Sequence, residues 1–229
     1  MIKAVLFDLD NTLIDFMRMK KYCCEDAMKA MIAAGLPMSK RKAMHVLYEL
    51  YDKYGIEYHK IFQKFLKKVV GRVEWKILAE GVVAYRRAKH SLLHPYPKTV
   101  TTLIELNRMG LKLGIVSDAP RMRAWLRIAD MHLSDFFDFV ITKDDVRGKL
   151  KPHHLPFRTA VRKLGVKPEE ILFVGDNPQR DIKGAMEAGM KTALALYGEH
   201  PERKSSGADY RLKSVHDIVG IVKALKTEK

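Results

Sequence analysis

Four consecutive apolar residues, Ala4-Val5-Leu6-Phe7, run directly into Asp8-Leu9-Asp10-Asn11-Thr12-Leu13. An unbroken apolar run of this length predicts a strand buried on both faces, as in a parallel sheet covered by helices. Open parallel sheets bind ligands outside the C-terminal ends of their strands, and Asp8 and Asp10 stand at that end. Two residues apart on an extended chain, the carboxylates project the same way and repel unless a cation lies between them. Magnesium suits such a place, because it is a hard cation that takes one or two carboxylates and keeps its other positions for water and phosphate oxygens. An Asp-Asn turn closing a strand would use the same residues, so this stretch alone leaves both readings open.

Beyond Thr12 the pattern turns helical and stays so as far as Leu92. Helices are expected over Met19 to Ala34, ending at Gly35; from Ser39 as N-cap to Tyr54; over Glu57 to Val70, ending at Gly71; and over Glu74 to Leu92. Tyr48, Tyr51, Tyr54, Tyr58, Phe62 and Phe65 recur at spacings of three and four, which predicts the core of a small bundle rather than an aromatic binding platform, with one or two rings facing a neighbouring cleft. His94-Pro95-Tyr96-Pro97 then marks an extended return, since a proline disfavours helix in the residue before it.

From there helices and strands alternate. Strands are expected at Leu111 to Val116, Asp138 to Ile141, Ile171 to Val174, Thr192 to Leu196 and, shorter, Tyr210 to Leu212. Helices are expected at Lys98 to Met109, after Asp118, near His154 to Leu164, near Arg180 to Ala188, and last behind a Ser214 cap. This is the signature of an α/β, doubly wound parallel sheet. The helical stretch is then an insertion after the first strand: residues 16–94 form a helical cap, and 1–15 with 95–229 form the core.

With 229 residues, 47% of them hydrophobic, the chain can bury one sizeable core or a core with a smaller inserted domain. Cys23 and Cys24 are adjacent, a spacing unsuited to the usual zinc or redox motifs, which fits a reducing cytoplasm. No apolar run reaches the roughly 18 residues that span a bilayer, and the chain opens directly into the buried strand. Neither membrane anchor nor signal peptide is expected. The net charge of +15 raises a nucleic-acid partner. The basic residues are scattered, however, and dense only at Lys67-Lys68 and at Arg86-Arg87 with Lys89, so a solvated surface that attracts anionic substrates is the better reading. Scarce Asn and Gln beside abundant Lys and Glu point to a thermophilic source.

Asp8-Leu9-Asp10-Asn11-Thr12 resembles the first motif of the haloacid dehalogenase superfamily, Asp-x-Asp-x-Thr, and later segments resemble its other motifs in order. Ile115-Val116-Ser117-Asp118 is similar to the second, a hydrophobic strand delivering Ser or Thr. Lys151-Pro152 with Phe157 is similar to the third, although His154 stands where many members have proline. Val174-Gly175-Asp176-Asn177, with Asp181, Gly184-Ala185 and Ala188-Gly189, resembles the fourth. Two aspartates capping a helix would explain that last piece alone, but not four motifs in order.

The resemblance implies a sheet order of 5-4-1-2-3, a phosphatase rather than a dehalogenase because Asp10 is present, and an aspartyl-phosphate intermediate. It implies Asp8 as nucleophile, Asp10 as general acid and base, and Lys151 as the residue that neutralises the phosphoryl group and steadies Asp8. Mg2+ would be held by the Asp8 carboxylate, the Asp10 main-chain carbonyl and Asp176. Ser117, Asp118, Thr12 and Lys151 would bind substrate, Gly175, Asn177 and Asp181 would support the site, and the cap would act as a lid. Gly175 would permit a tight turn, and Asp181 would hold a metal-bound water or the lysine. The implied substrate is a small phosphate ester such as a sugar phosphate, with glyceraldehyde 3-phosphate one candidate. The expected partners include neither nucleic acid nor membrane, and the chain would be a monomer or homodimer. A phosphosugar mutase would share the aspartates and the cap, and a basic nucleic-acid-binding protein on a retired scaffold is the non-catalytic alternative.

Overall fold

The computed structural model describes residues 1–198 and 207–227. The chain divides into two compact units, Met1–Phe16 with Leu93–Lys229, and Met17–Leu92.

The inserted unit is built from α1 (Phe16–Ala33), whose first residue Phe16 belongs to the other unit, α2 (Lys40–Tyr54), α3 (Ile61–Val70) and α4 (Trp75–Leu92). Ser39 caps α2 by accepting from the Lys42 N–H, as expected. Gly71 ends α3 in the left-handed region that glycine enters without penalty. The third helix starts at Ile61 rather than Glu57: Tyr58 N–H donates to the Gly55 carbonyl, and the Tyr58 ring stacks on Tyr54 at 5.1 Å, so these residues form a turn. Tyr51, Phe62 and Phe65 lie in the bundle core with Met28, Met31 and Leu47, and Tyr48 and Tyr58 pack at its margin. Tyr54 does not belong to that core and is 36% exposed.

The core unit holds six parallel strands: β1 (Ala4–Phe7), β2 (Lys112–Val116), β3 (Phe139–Ile141), β4 (Ile171–Gly175), β5 (Lys191–Ala195) and β6 (Tyr210–Leu212). Their order is β3-β2-β1-β4-β5-β6. β1 is central and its four residues are all buried, which explains why it is apolar on both faces. Among the described residues this unit also holds helices α5 (Thr99–Arg108), α6 (Arg121–Asp130), α7 (His154–Leu164), α8 (Lys183–Glu187) and α9 (Asp217–Thr227). On one side of the sheet Leu6, Val116 and Phe173 share a core with Phe157, Ala160 and Leu164 of α7. The ends of the insertion are tied together by a bridge between Ile14 and Pro95 and by the Tyr96 N–H donating to the Leu13 carbonyl.

The first helix starts at Phe16, three residues before the expected Met19, and in the core unit the starts of α8 and α9 also differ from the sequence reading. Residues Pro178–Ile182 form one turn of π-helix before α8, because the Asn177 side chain accepts from the Gln179 and Arg180 N–H groups and its carbonyl accepts from Asp181 and Ile182. The last helix starts at Asp217, three residues after Ser214. The Asp217 carboxylate accepts from the Lys213 and Ser214 N–H groups and holds those residues in a turn. Among the described residues, no helix is long and apolar enough to cross a membrane.

Candidate active site

Strand register brings the separate motifs level. Phe7 is paired with Ile115 on one side and Val174 on the other, so Asp8, Ser117 and Asp176 all emerge at the C-terminal edge of three neighbouring strands. The winding of the sheet reverses about β1, which is where a crevice opens in folds of this kind.

Lys151 is the hub of the site. Its ammonium, with no solvent exposure, lies 2.6 Å from Asp8 Oδ1 and 2.7 Å from Asp181 Oδ1, and donates to the Val116 carbonyl at 2.9 Å. Burial by itself lowers the Lys151 pKa, but Asp181 and Asp8 outweigh it and raise the value, so the group is a fixed cation. Just after Lys151, Pro152 and the N-terminus of α7 set the stem, with His153 capping α7 by accepting from the Leu155 N–H. Phe157 is wholly buried against Phe173, its centroid 5.3 Å away, and Phe173 lies under the ammonium at 5.7 Å. The aromatic residue six places after the lysine is thus part of the floor of the site.

Asp8, Asp176 and Asp181 are all buried and can offer one oxygen each within 4.8 Å of one another. Lys151 is ion-paired with Asp8 and Asp181 but not with Asp176, and Arg180 is the second cation whose charge acts on the cluster. Burial, opposed by Lys151 and reinforced by Asp181, pushes the Asp8 carboxyl well above the usual range, and burial together with Asp181 pushes Asp176 up to about 7. Asp8 Oδ2 and both oxygens of Asp176 are buried without a protein hydrogen bond. Buried polar atoms ordinarily find partners, and hard oxygen donors left over in a cluster short of positive charge fit a hard divalent cation. Asp181 differs from the other two: one oxygen faces Lys151 and the other accepts from the Asn177 N–H at 3.0 Å. Gly175 lies in β4 instead of a tight turn. A Cβ there would come within 2.4 Å of the Asp181 Cβ, so its bare backbone makes room for that side chain.

The Asp10 carboxylate pairs with an arginine and does not join Asp8 in the acidic cluster, contrary to the expectation from their spacing. The strand ends at Phe7, Asn11 has a φ of +62°, and the Asp10 side chain meets the Arg127 guanidinium at 2.8 Å. The chain turns before the strand's alternation can align the two carboxylates. Ser117 Oγ accepts from the Ala119 N–H at 3.1 Å, so this hydroxyl also organises the turn in which it sits. Asp118 was expected to meet substrate, but its carboxylate is occupied by protein: Oδ1 accepts from the Lys151 N–H and Oδ2 is 3.6 Å from Arg180. Thr12 is fully buried, and its carbonyl accepts from the Tyr197 hydroxyl at 3.1 Å.

The chain matches the family described as haloacid dehalogenase-like hydrolase over residues 5–195. It belongs to that family. It is 38% identical, over the full length of both chains, to a protein named glyceraldehyde 3-phosphate phosphatase from Methanocaldococcus jannaschii. A protein of the same name from Methanopyrus kandleri is 34% identical over 98% of this chain and 99% of its own. Among solved structures, a HAD phosphatase from Thermococcus onnurineus aligns with a TM-score of 0.69 and 28% identity, covering 96% of this chain and 98% of that one.

Three features of this haloacid dehalogenase-like hydrolase escape a reading of its motifs. Arg127 reaches Asp10 from α6, where it occupies the buried stripe with Ala124 and Ile128; a cation on an apolar stripe is the signal that marks it. Arg180 stands beside Asp118, and Asp181, Asp8 and Asp118 raise its pKa against the effect of burial. Tyr197 and Gly198 follow β5 and pack on the turn after Asp10: a Cβ on Gly198 would come within 2.3 Å of the Asn11 carbonyl and 2.8 Å of the Asp176 Cβ. Neither Arg180 nor Gly198 carries a sequence signal that separates it from surface arginines and loop glycines.

Proposed function

We propose that this chain is a magnesium-dependent phosphatase that hydrolyses a small phosphorylated metabolite through a phosphoryl group carried on Asp8. The observation that carries the reading is the Asp8–Lys151–Asp181 triad beside Asp176, in which a buried carboxylate is held in place by a permanent cation and retains one oxygen without a protein hydrogen bond.

Asp8 attacks phosphorus while the bond from phosphorus to the ester oxygen breaks. Lys151 orients the nucleophile and offsets the negative charge gathered on the phosphoryl group. Asp10 gives a proton to the departing alkoxide and, now ionised, takes one from the water that attacks the phosphorylated Asp8. Inorganic phosphate leaves and Asp8 is restored. Ser117 offers its hydroxyl to a phosphoryl oxygen. Mg2+ would be held by the carboxylates of Asp8 and Asp176 and the main-chain carbonyl of Asp10. Bound there, it neutralises the repulsion between a phosphate dianion and the acidic cluster. Asp118, Asn177 and Asp181 act behind the reacting atoms, holding the lysine and the π-turn in place.

The names borne by the relatives support a sugar-phosphate substrate and make glyceraldehyde 3-phosphate the first compound to try. The net charge of +15 draws such anions from solution. The deciding experiment is phosphate release from a panel of metabolite phosphates with and without magnesium. Release from none of them, or isomerisation of a hexose 1-phosphate without release, overturns the proposal.

A further inference from the structure

We propose that Arg127 is a positioning residue for the phosphatase reaction, fixing the direction in which Asp10 presents its proton-carrying oxygen. The inference rests on the assignment of Asp10 as general acid and base made above.

Arg127 is placed where it can do nothing else in the reaction. Its side chain is 4% exposed against 22% for Asp10, so the guanidinium lies behind the carboxylate and meets no substrate itself. Nη1 donates to Asp10 Oδ2 at 2.8 Å, and the guanidinium carbon sits 4.3 Å from the centroid of the Phe16 ring. The stack sets the plane of the guanidinium, and the hydrogen bond transfers that orientation to the carboxylate. A guanidinium cannot accept a hydrogen bond. With Oδ2 engaged by Arg127, the exchanged proton is therefore carried on Oδ1.

The backbone beneath Asp10 is equally constrained. Asn11 is left-handed, and its N–H donates to the Ile14 carbonyl, so the remaining freedom of Asp10 lies in its two side-chain torsions. The hydrogen bond from Arg127 to Oδ2 restricts both torsions. Burying a guanidinium on the apolar stripe of α6 is unfavourable unless its ion pair offsets the loss of hydration, and apolar replacements of buried ion pairs are often neutral or stabilising. Stability is thus a poor account of an arginine at this position, whereas placement of a proton donor is a sufficient one. A misplacement of about 1 Å at a reacting group can cost on the order of a hundredfold in rate.

The test is a double-mutant cycle on turnover of p-nitrophenyl phosphate with magnesium. Arg127→Met is expected to lower kcat by ~10–100-fold with KM little changed, because the arginine touches no substrate atom. In the Asp10→Asn background the same change should have almost no further effect, since a residue acting only through Asp10 has nothing left to position. Arg127→Lys, which keeps the charge but loses the planar stack, should fall between wild type and Met. It also serves if the Met variant does not fold. Equal losses in both backgrounds, no loss of kcat, or a rise in KM with kcat unchanged would each overturn the inference. Failure of the phosphatase reading looks different: the wild-type protein then releases no phosphate.

Discussion

Lys151 Nζ lies 2.6 Å from Asp8 Oδ1, and both groups are buried at the head of the central strand. The pair is not isolated, since Asp181 faces the same ammonium at 2.7 Å and Asp176 completes the acidic cluster. Negative charge therefore exceeds positive charge in a place from which water is largely excluded. Such an imbalance is costly to the fold and useful for binding a cation that a phosphate dianion can approach.

Lys151→Ala should cost at least about a hundredfold in turnover, the usual scale for removing a group that stabilises transition-state charge. It should also lower stability by ~3–5 kcal/mol, because the carboxylates it serves remain buried without their partner. Lys149→Ala, on an exposed side chain two residues earlier, should change neither. Phosphate release and urea denaturation of the two variants check this, and the reverse pattern would put the wrong lysine at the phosphoryl group.

Activity should require magnesium or a similar hard divalent ion and disappear in excess chelator. The ion should also stabilise the folded chain, by about 2.7 kcal/mol at a hundred times its dissociation constant. Thermal melts with and without magnesium read this directly. Full turnover in chelator would remove the metal from the proposal.

Without the metal, stability should fall as pH rises. Asp176 is pushed up to about 7 in the fold, whereas an unfolded aspartate titrates near ~3.9. The folded chain therefore binds the proton more tightly, and this stability is present below about pH 4 and lost as pH climbs through about 7. In chelator, Asp176→Asn should make that slope shallower, leaving the part due to Asp8, and stabilise the protein at pH 8 by ~2–4 kcal/mol, at 1.36 kcal/mol for each pKa unit. Denaturant midpoints across pH 5 to 8 test it, and parallel profiles for the two proteins would contradict it.

The two aspartates of the first motif should fail in different ways. Asp8→Asn should form no phosphoenzyme with any ester, however good its leaving group. Asp10→Asn keeps the nucleophile, so an ester of an acidic phenol should still phosphorylate Asp8 and then stall, because the attacking water has lost its base. The observable is a burst of phenol with a stable mass increase of one phosphoryl group on the peptide containing Asp8. A label elsewhere, or none in the Asp10 variant, would reverse the assignment.

Local pattern was enough for much of the architecture. The apolar run Ala4 to Phe7, the glycine stops at Gly55 and Gly71 and the Ser39 cap all express preferences of a few neighbouring residues, and such preferences can be read along the chain. Lys151 was also legible, because Pro152 and Phe157 distinguish it from the other lysines. The start of α9 was not, since Asp217 reaches back to accept from the Lys213 and Ser214 N–H groups and from the Ser214 hydroxyl, holding these residues in a turn ahead of the helix. Pairings across the fold were the least accessible. Asp8 and Asp10 are near twins in sequence, yet one faces a lysine 143 residues away and the other an arginine 117 residues away. Burial compels a buried charge to find a partner, but the partner is chosen by which helix face the chain's winding lays against which strand end, and periodicity along the sequence carries no record of that choice.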